Sequence, residues 1–237
     1  ETMEKLDARL RAAARFVRKG TVAADVGADH AYLICHLIEK KICERGYACD
    51  INEGPLENAR AEIEARGLSD RIALVRADGL EKLPEHGIDE VILCGMGGET
   101  IAGILEKGAW VKRETVHLIL QAMTRPEYLR KWLCEHGFRI DAEAAAEAEG
   151  HVYSVMSVYY SGDKWTPDLL YCYTGELPGD PSKAAAKYLR RQAAIQRAVA
   201  RGLERSPGSA ESAVWHDSLA DMIEDKIGEQ IGENNDV

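Results

Sequence analysis

No run of 18 apolar residues occurs in the 237-residue sequence, and its first ten residues, ETMEKLDARL, lack the pattern of a secretory signal. Neither a membrane span nor export is expected, and a cytoplasmic protein is. Positive charge is in deficit: 40 Asp and Glu against 30 Lys and Arg leave a net charge of −10. This balance favours solubility and argues against a protein that coats nucleic acid uniformly, while leaving room for an enzyme with a local basic face. The six cysteines (Cys35, Cys43, Cys49, Cys94, Cys134, Cys172) include no Cys-x-x-Cys pair. Reduced, buried thiols fit them better than a disulfide framework or a zinc site, and no metal is expected. No internal repeat or low-complexity tract stands out. The length suffices for one large domain and an appendage.

From residue 20 onward, short apolar runs alternate with amphipathic stretches. TVAADVG, YACDI, RIALVRADG, IDEVILCGMGG and VHLILQ read as five strands. Between and after them, helical patterns cover about Ala31 to Lys40, Pro55 to Arg66, Glu99 to Lys107 and Pro126 to His136. This alternation predicts an α/β fold with a doubly wound parallel sheet. After His136 the rhythm changes to two extended segments, 137–147 and 151–160, around a turn at Gly150. A hairpin ending of this kind resembles class I methyltransferases, whose last strand is antiparallel, more than dinucleotide-dependent dehydrogenases. The alanines and glutamates of 137–147 also suit a helix. Residues 161–181 have no clear period and read as a connector.

Two helical stretches, Ser182 to Arg205 and Ser209 to about Ile231, follow around the turn SPGS. Apolar stripes at Ala185, Tyr188, Ile195 and Val199, and at Trp215, Leu219, Met222, Ile223, Ile227 and Ile231, predict an antiparallel helical hairpin. The first helix is rich in Lys and Arg and the second in Asp and Glu, so facing ion pairs favour this pairing. The expected division is 1–160, 161–181 and 182–237.

The residues with chemical potential gather at predicted strand ends. DVGADHAYL follows strand one, where Gly27 permits close approach to a helix N-terminus. Only one glycine of the dinucleotide fingerprint is present, and an acid in the loop disfavours a pyrophosphate while suiting a cationic amino group. Asp50, 25 residues after Asp25, closes strand two, where an acid commonly binds ribose hydroxyls. Asp78-Gly79 follows strand three, where a carboxylate suits an adenine amino group. Gly95, Met96 and Gly97 end strand four, where glycines let backbone reach a ligand. Gln121 ends strand five and suits a base edge.

Together DVGADHAYL, DINEGPLENAR, RADGLE, CGMGGE and LILQAMT resemble the bacterial tRNA (adenine(22)-N1)-methyltransferases over about residues 5–160. Ala28 stands where the family usually has serine, and Ala122 where proline is more typical. The resemblance implies a Rossmann-like methyltransferase domain, a C-terminal coiled-coil-like helical domain, S-adenosyl-L-methionine as cofactor and tRNA as partner. By position, Asp25 and Gly27 would hold the methionyl end of the cofactor, Asp50 its ribose, and Asp78 and Gly79 its adenine, with Gly95 and Met96 beside it. Asp29, His30 and Tyr32 would be the catalytic group, and Met96 and Gly97 would line the way to the incoming base. Substrate contacts are expected from Gly97, Gln121, Arg9 and the basic residues Lys183, Lys187, Arg190 and Arg191. Competing readings are a methyltransferase of a small molecule or protein, and a non-catalytic tRNA-binding module with a vestigial pocket.

Overall fold

The structure, a computed structural model, describes residues 6–205 and 209–233, with side chains through residue 227. Its strands are β1 (Thr21–Val26), β2 (Cys43–Asp50), β3 (Ile72–Arg76), β4 (Glu90–Gly97), β5 (His117–Thr124), β6 (Phe138–Ala148) and β7 (His151–Tyr160). All seven join one sheet in the order β3-β2-β1-β4-β5-β7-β6. The first five in that order are parallel, and β7 is antiparallel to both neighbours. This is the doubly wound sheet with an antiparallel ending that the sequence pattern predicts.

Helices α1 (Ala8–Phe16), α2 (Tyr32–Glu39) and α3 (Glu53–Ala65) cover one face, burying Ala13, Ile34, Leu37 and Ala59. On the other face, α4 (Gly98–Lys107) and α5 (Pro126–Glu135) bury Ile101, Leu105, Leu129 and Leu133. From β1 the chain winds out to β3, then crosses back to β4. The loops after β1 and β4 therefore part at their carboxyl ends, which opens a crevice there.

The β6 segment resolves the ambiguity of its alanines. It pairs with β7 from Phe138–Tyr160 to Ala148–His151, and Ala146 shares a core cluster with Ala12, Ala13 and Ala14 of α1. Small side chains let the helix lie close to the sheet, so tertiary packing outweighs helix propensity. In the connector, the structure adds a short helix, α6 (Leu169–Thr174). Asp168 caps it by accepting from the Tyr171 backbone N–H at 2.7 Å. Six residues are too few to show a helical period in sequence.

The C-terminal pair is α7 (Lys183–Glu204), capped by Ser182, and α8 (Ala210–Glu233). Ala185, Tyr188, Leu219, Ile223 and Ile227 are buried as the stripes predict, but Ile195, Val199, Trp215 and Met222 are exposed. Their places inside are taken by Leu189, Gln192, Ala193, Gln196 and Ala200. Gln196 is tolerated there because its amide pairs with His216 at 2.8 Å. The turn at 206–208 and the side chains of Glu229 and Ile231 lie outside the described residues. Ion pairs do cross the hairpin: Arg197 contacts Asp217, Asp221 and Glu224 at 3.7, 2.7 and 2.7 Å.

The hairpin also docks on the sheet, in a cluster that joins Val152 and Leu177 to Leu189 and Ile223. Beneath it lies a buried ion pair. Arg130 of α5 donates to both carboxylate oxygens of Glu143 on β6 at 2.8 Å, and neither side chain is exposed. The same guanidinium reaches the Cys172 carbonyl at 2.8 Å, Ser154 at 3.1 Å and the Tyr188 hydroxyl at 3.3 Å. One cation thus ties α5, β6, β7, α6 and α7 together. Replacing one member leaves the other charged and unpaired in the interior, so Glu143→Ala should cost about 3–5 kcal/mol. Urea unfolding of the variant measures this, and an unchanged midpoint would show that the pair contributes nothing.

Candidate active site

β1 and β4 pair Asp25 with Ile92 and Val26 with Leu93, so the two strands release their chains at one level. After β1 the backbone turns at Gly27 (φ 76°) and passes through His30 (φ 65°) and Ala31 (φ 53°) before α2 starts. Left-handed backbone is natural for glycine and costs about 1–2 kcal/mol at His30 and at Ala31. Offsetting bonds fix the start of the turn: the N–H groups of Gly27 and Ala28 donate to the Cys49 carbonyl at 2.7 and 3.1 Å. A side chain at Gly27 would collide with the Met96 methyl, so the two loops meet closely.

On the β4 side, register with β5 shifts between Cys94 and Met96, with Gly95 at φ 82°. Such a bulge re-aims the strand end. The Gly95 N–H donates to Oε1 of Gln121 at 3.0 Å, and Arg9 of α1 donates to the same oxygen at 2.7 Å. Arg9 also binds Asp7 at 3.1 Å, and Asp7 caps α1 through the Leu10 N–H at 2.8 Å. The Gln121 Nε2 donates to the Ala122 carbonyl at 2.8 Å. Gln121 is wholly buried. The expectation that it touches a base edge is therefore corrected: its amide is hydrogen-bonded inside the protein, and it shapes the site through Gly95 and Arg9.

These pieces surround an open cleft of about 540 Å³ lined by Asp25, Gly27, Asp29, His30, Tyr32 and Gly95, with Arg9, Cys94, Met123 and Glu149 at its borders. The three residues expected to be catalytic come together. Asp29 is exposed, His30 Nε2 lies 3.5 Å from its carboxylate, and the His30 ring stacks on Tyr32 at 5.1 Å and 5°. Below them Asp25 is buried and accepts from the Ile34 backbone N–H. Loss of water pushes its carboxyl up to about 7, against the lowering effect of that hydrogen bond.

Other expected residues lie further along the strand ends. Asp50 closes β2, half-buried, and accepts from the Asn52 N–H at 2.9 Å. Asp78 pairs with Lys107 at 3.3 Å and faces a separate hollow of about 180 Å³ beside Ile104 and Trp110. Gly79 backs onto Ile104, and Met96 and Gly97 are half-buried. On α7, Lys183 and Arg190 are exposed, Lys187 pairs with Glu147, and Arg191 approaches His151 at 3.3 Å. None of these four lines the cleft. Before β1, Arg18 binds Glu90 at 2.5 Å and the Asp89 and Thr115 carbonyls, away from the cleft. Cys94 and Met123 border the cleft from within the CGMGGE and LILQAMT segments, and Glu149 borders it from outside every segment singled out in the sequence. Asp7 has a readable signal, as a helix-capping residue before an alanine- and arginine-rich stretch. Among the described residues, no group of three or more His, Cys, Asp or Glu side chains is placed to hold a metal.

Residues 6–156 match a family described as a methyltransferase domain. Over 160 residues the chain is 34% identical to the Bacillus subtilis tRNA (adenine(22)-N(1))-methyltransferase, covering 68% of this chain and 67% of that protein. The chain belongs to the tRNA (adenine(22)-N1)-methyltransferase family. Among solved structures, Streptococcus pneumoniae Sp1610 in complex with S-adenosyl-L-methionine is 30% identical, with a TM-score of 0.80 over 92% of this chain and 99% of that one. M. capricolum TrmK in complex with S-adenosyl-homocysteine is 25% identical, with a TM-score of 0.79 over 94% and 99%. At 92% and 94% of this chain, both likenesses reach beyond the sheet into the C-terminal hairpin.

In this methyltransferase the buried Asp25 also sets a pH dependence. The folded protein holds its proton up to about 7, whereas the unfolded carboxyl releases it near 3.8. Stability from the protonated form is thus complete below 3.8 and lost as pH rises through 7. Asn keeps the shape without the charge. The stability advantage of Asp25→Asn over the parent should therefore widen from about pH 4 to 7 and level off above. Denaturant midpoints across that range test this; a constant difference would place Asp25 in contact with water.

Proposed function

We propose that this methyltransferase moves a methyl group from S-adenosyl-L-methionine to N1 of adenine 22 in the D-arm of tRNA, in the cytoplasm. The observation that carries the reading is the strained Gly27–Ala31 turn, which brings Asp29, His30 and Tyr32 to the rim of a cleft above buried Asp25.

The donor groups fit the cofactor. Gly27 and Gly95 give backbone access at the cleft floor, and Asp25 offers a carboxylate to a cationic amino group. Asp50 at the next strand end suits a ribose diol, and the Asp78–Gly79 turn suits the adenine. When bound, S-adenosylmethionine supplies a methyl group on a cationic sulfur, an electrophile that needs no further activation. An amine cation beside Asp25 would draw out its proton, so cofactor affinity should strengthen as pH rises toward 7.

Adenine N1 carries a lone pair and has no proton to lose before it attacks, so no general base is required of the protein. Positive charge passes to the base during transfer. Asp29 at the cleft rim would stabilise that charge or accept from the adenine amino group, and His30 would contact the base edge. Tyr32 stacks on His30 and holds its plane. Alignment and preorganised charge then account for the acceleration. The target base must leave its stack to enter.

The reading is tested by incubating the protein with unmodified bacterial tRNA and methyl-labelled cofactor, followed by nucleoside mass spectrometry and site mapping. Label in 1-methyladenosine at position 22 is the expected result. Label on free adenosine or on protein alone would point to another substrate. In the same assay, Asp29→Ala should lower the single-turnover rate far more than cofactor affinity, because its interaction strengthens only as charge develops. An unchanged chemical step would make Asp29 structural.

A further inference from the structure

A second concavity, of about 390 Å³, lies between the end of β5, the start of β7 and α7. It is separate from the cleft but meets it at Met123, which lines both and is 41% exposed. The β6–β7 turn also bridges them, with Glu149 on the cleft side and His151 on the groove side. The groove is lined by Tyr153 and Tyr173, both half-buried, with the His151 ring beside Tyr153 at 6.1 Å. Ile195, left exposed by the shifted stripe of α7, forms its apolar edge.

Its charged lining residues are Arg125, Glu127 and Arg191. Arg191 faces it from α7 beside the His151 ring at 3.3 Å, whereas Arg197 further along the helix is held by three carboxylates. Arg125 stands opposite, in left-handed backbone (φ 56°), pinned because Gly98 packs against its carbonyl. The Arg125 guanidinium is paired with Glu99 and Glu127 at 3.0 and 2.8 Å, so Arg191 is the cation turned outward.

Aromatic faces beside a guanidinium, in a groove continuous with a cleft for a flipped base, are the chemistry that binds unstacked single-stranded nucleotides. We propose that this groove seats a nucleotide adjacent to the target adenine, its base against Tyr153 and Tyr173 and its phosphate at Arg191. The proposal rests on the tRNA methyltransferase reading and deepens it. It also makes the docked hairpin part of the substrate site, since α7 supplies one wall of the groove through Tyr188, Arg191 and Ile195.

The test uses the full-length protein, an unmodified tRNA transcript and the variants Arg191→Glu and Tyr153→Leu. Stacking and phosphate contacts of this kind are strong enough that KM for tRNA should rise about tenfold in each variant. Affinity for S-adenosylhomocysteine should stay within about twofold, since neither residue borders the cleft. If Tyr153→Leu also loses S-adenosylhomocysteine binding, Arg191→Glu decides, because Arg191 is on an exposed helix surface. A parent that methylates tRNA with both variants unchanged in KM overturns the groove alone; a groove built for a protein partner would give that outcome. A parent that methylates no tRNA overturns the functional reading and the groove with it.

Discussion

Three segments distant in sequence meet on the buried side-chain amide of Gln121, whose oxygen accepts from Gly95 of β4 and Arg9 of α1 while its nitrogen holds the Ala122 carbonyl of its own strand. A bulge leaves backbone groups without ladder partners, among them the Gly95 N–H. Gln121 satisfies that N–H, which lets β4 bend toward the β1 turn instead of continuing flat. Arg9 carries the constraint outward to α1, so the helix becomes a wall of the cleft. The close approach of Met96 to Gly27 follows from the same bend. The site is thus a property of how β1, β4 and β5 end together, not of any one loop.

Much of this is legible in the sequence because strand ends advertise themselves. DVGADHAYL and CGMGGE carry the glycines that the turn and the bulge demand, and the acids at Asp25, Asp50 and Asp78 fall at successive strand ends. The antiparallel finish is readable from HVYSVMSVYY, whose β-branched and aromatic residues have few alternatives. Less is legible where partners are distant. In sequence Gln121 has the character of a surface polar residue, since nothing local reveals that its amide is enclosed by residues 9 and 95. Arg9 resembles a substrate ligand until its carboxylate and amide partners are in view. The inward face of α7 is obscured for a similar reason: Gln192 and Gln196 are polar in sequence, yet His216 makes Gln196 acceptable inside.

The Arg130–Glu143 pair shows a second kind of constraint. A buried ion pair is a poor source of net stability compared with apolar packing, but it is specific in geometry. Its five acceptors come from four elements besides α5, and Tyr188 is among them, so the orientation of α7 against the sheet is fixed at that point. The hairpin is thereby held in one orientation on the sheet, with its own ion pairs at Arg197 joining its two helices.

The proposed cofactor position is where the β1 turn and the β4 bulge face each other. Amide NMR during titration with S-adenosylhomocysteine tests it most directly, because Gly27, Gly79 and Gly95 report from three separate strand ends. Large shifts are expected at Gly27 to Tyr32 and at Gly95, with smaller ones at Asp50 and Gly79, and little change on α8. Saturable shifts confined to the groove beside α7, with Gly27 and Gly95 unmoved, would contradict it.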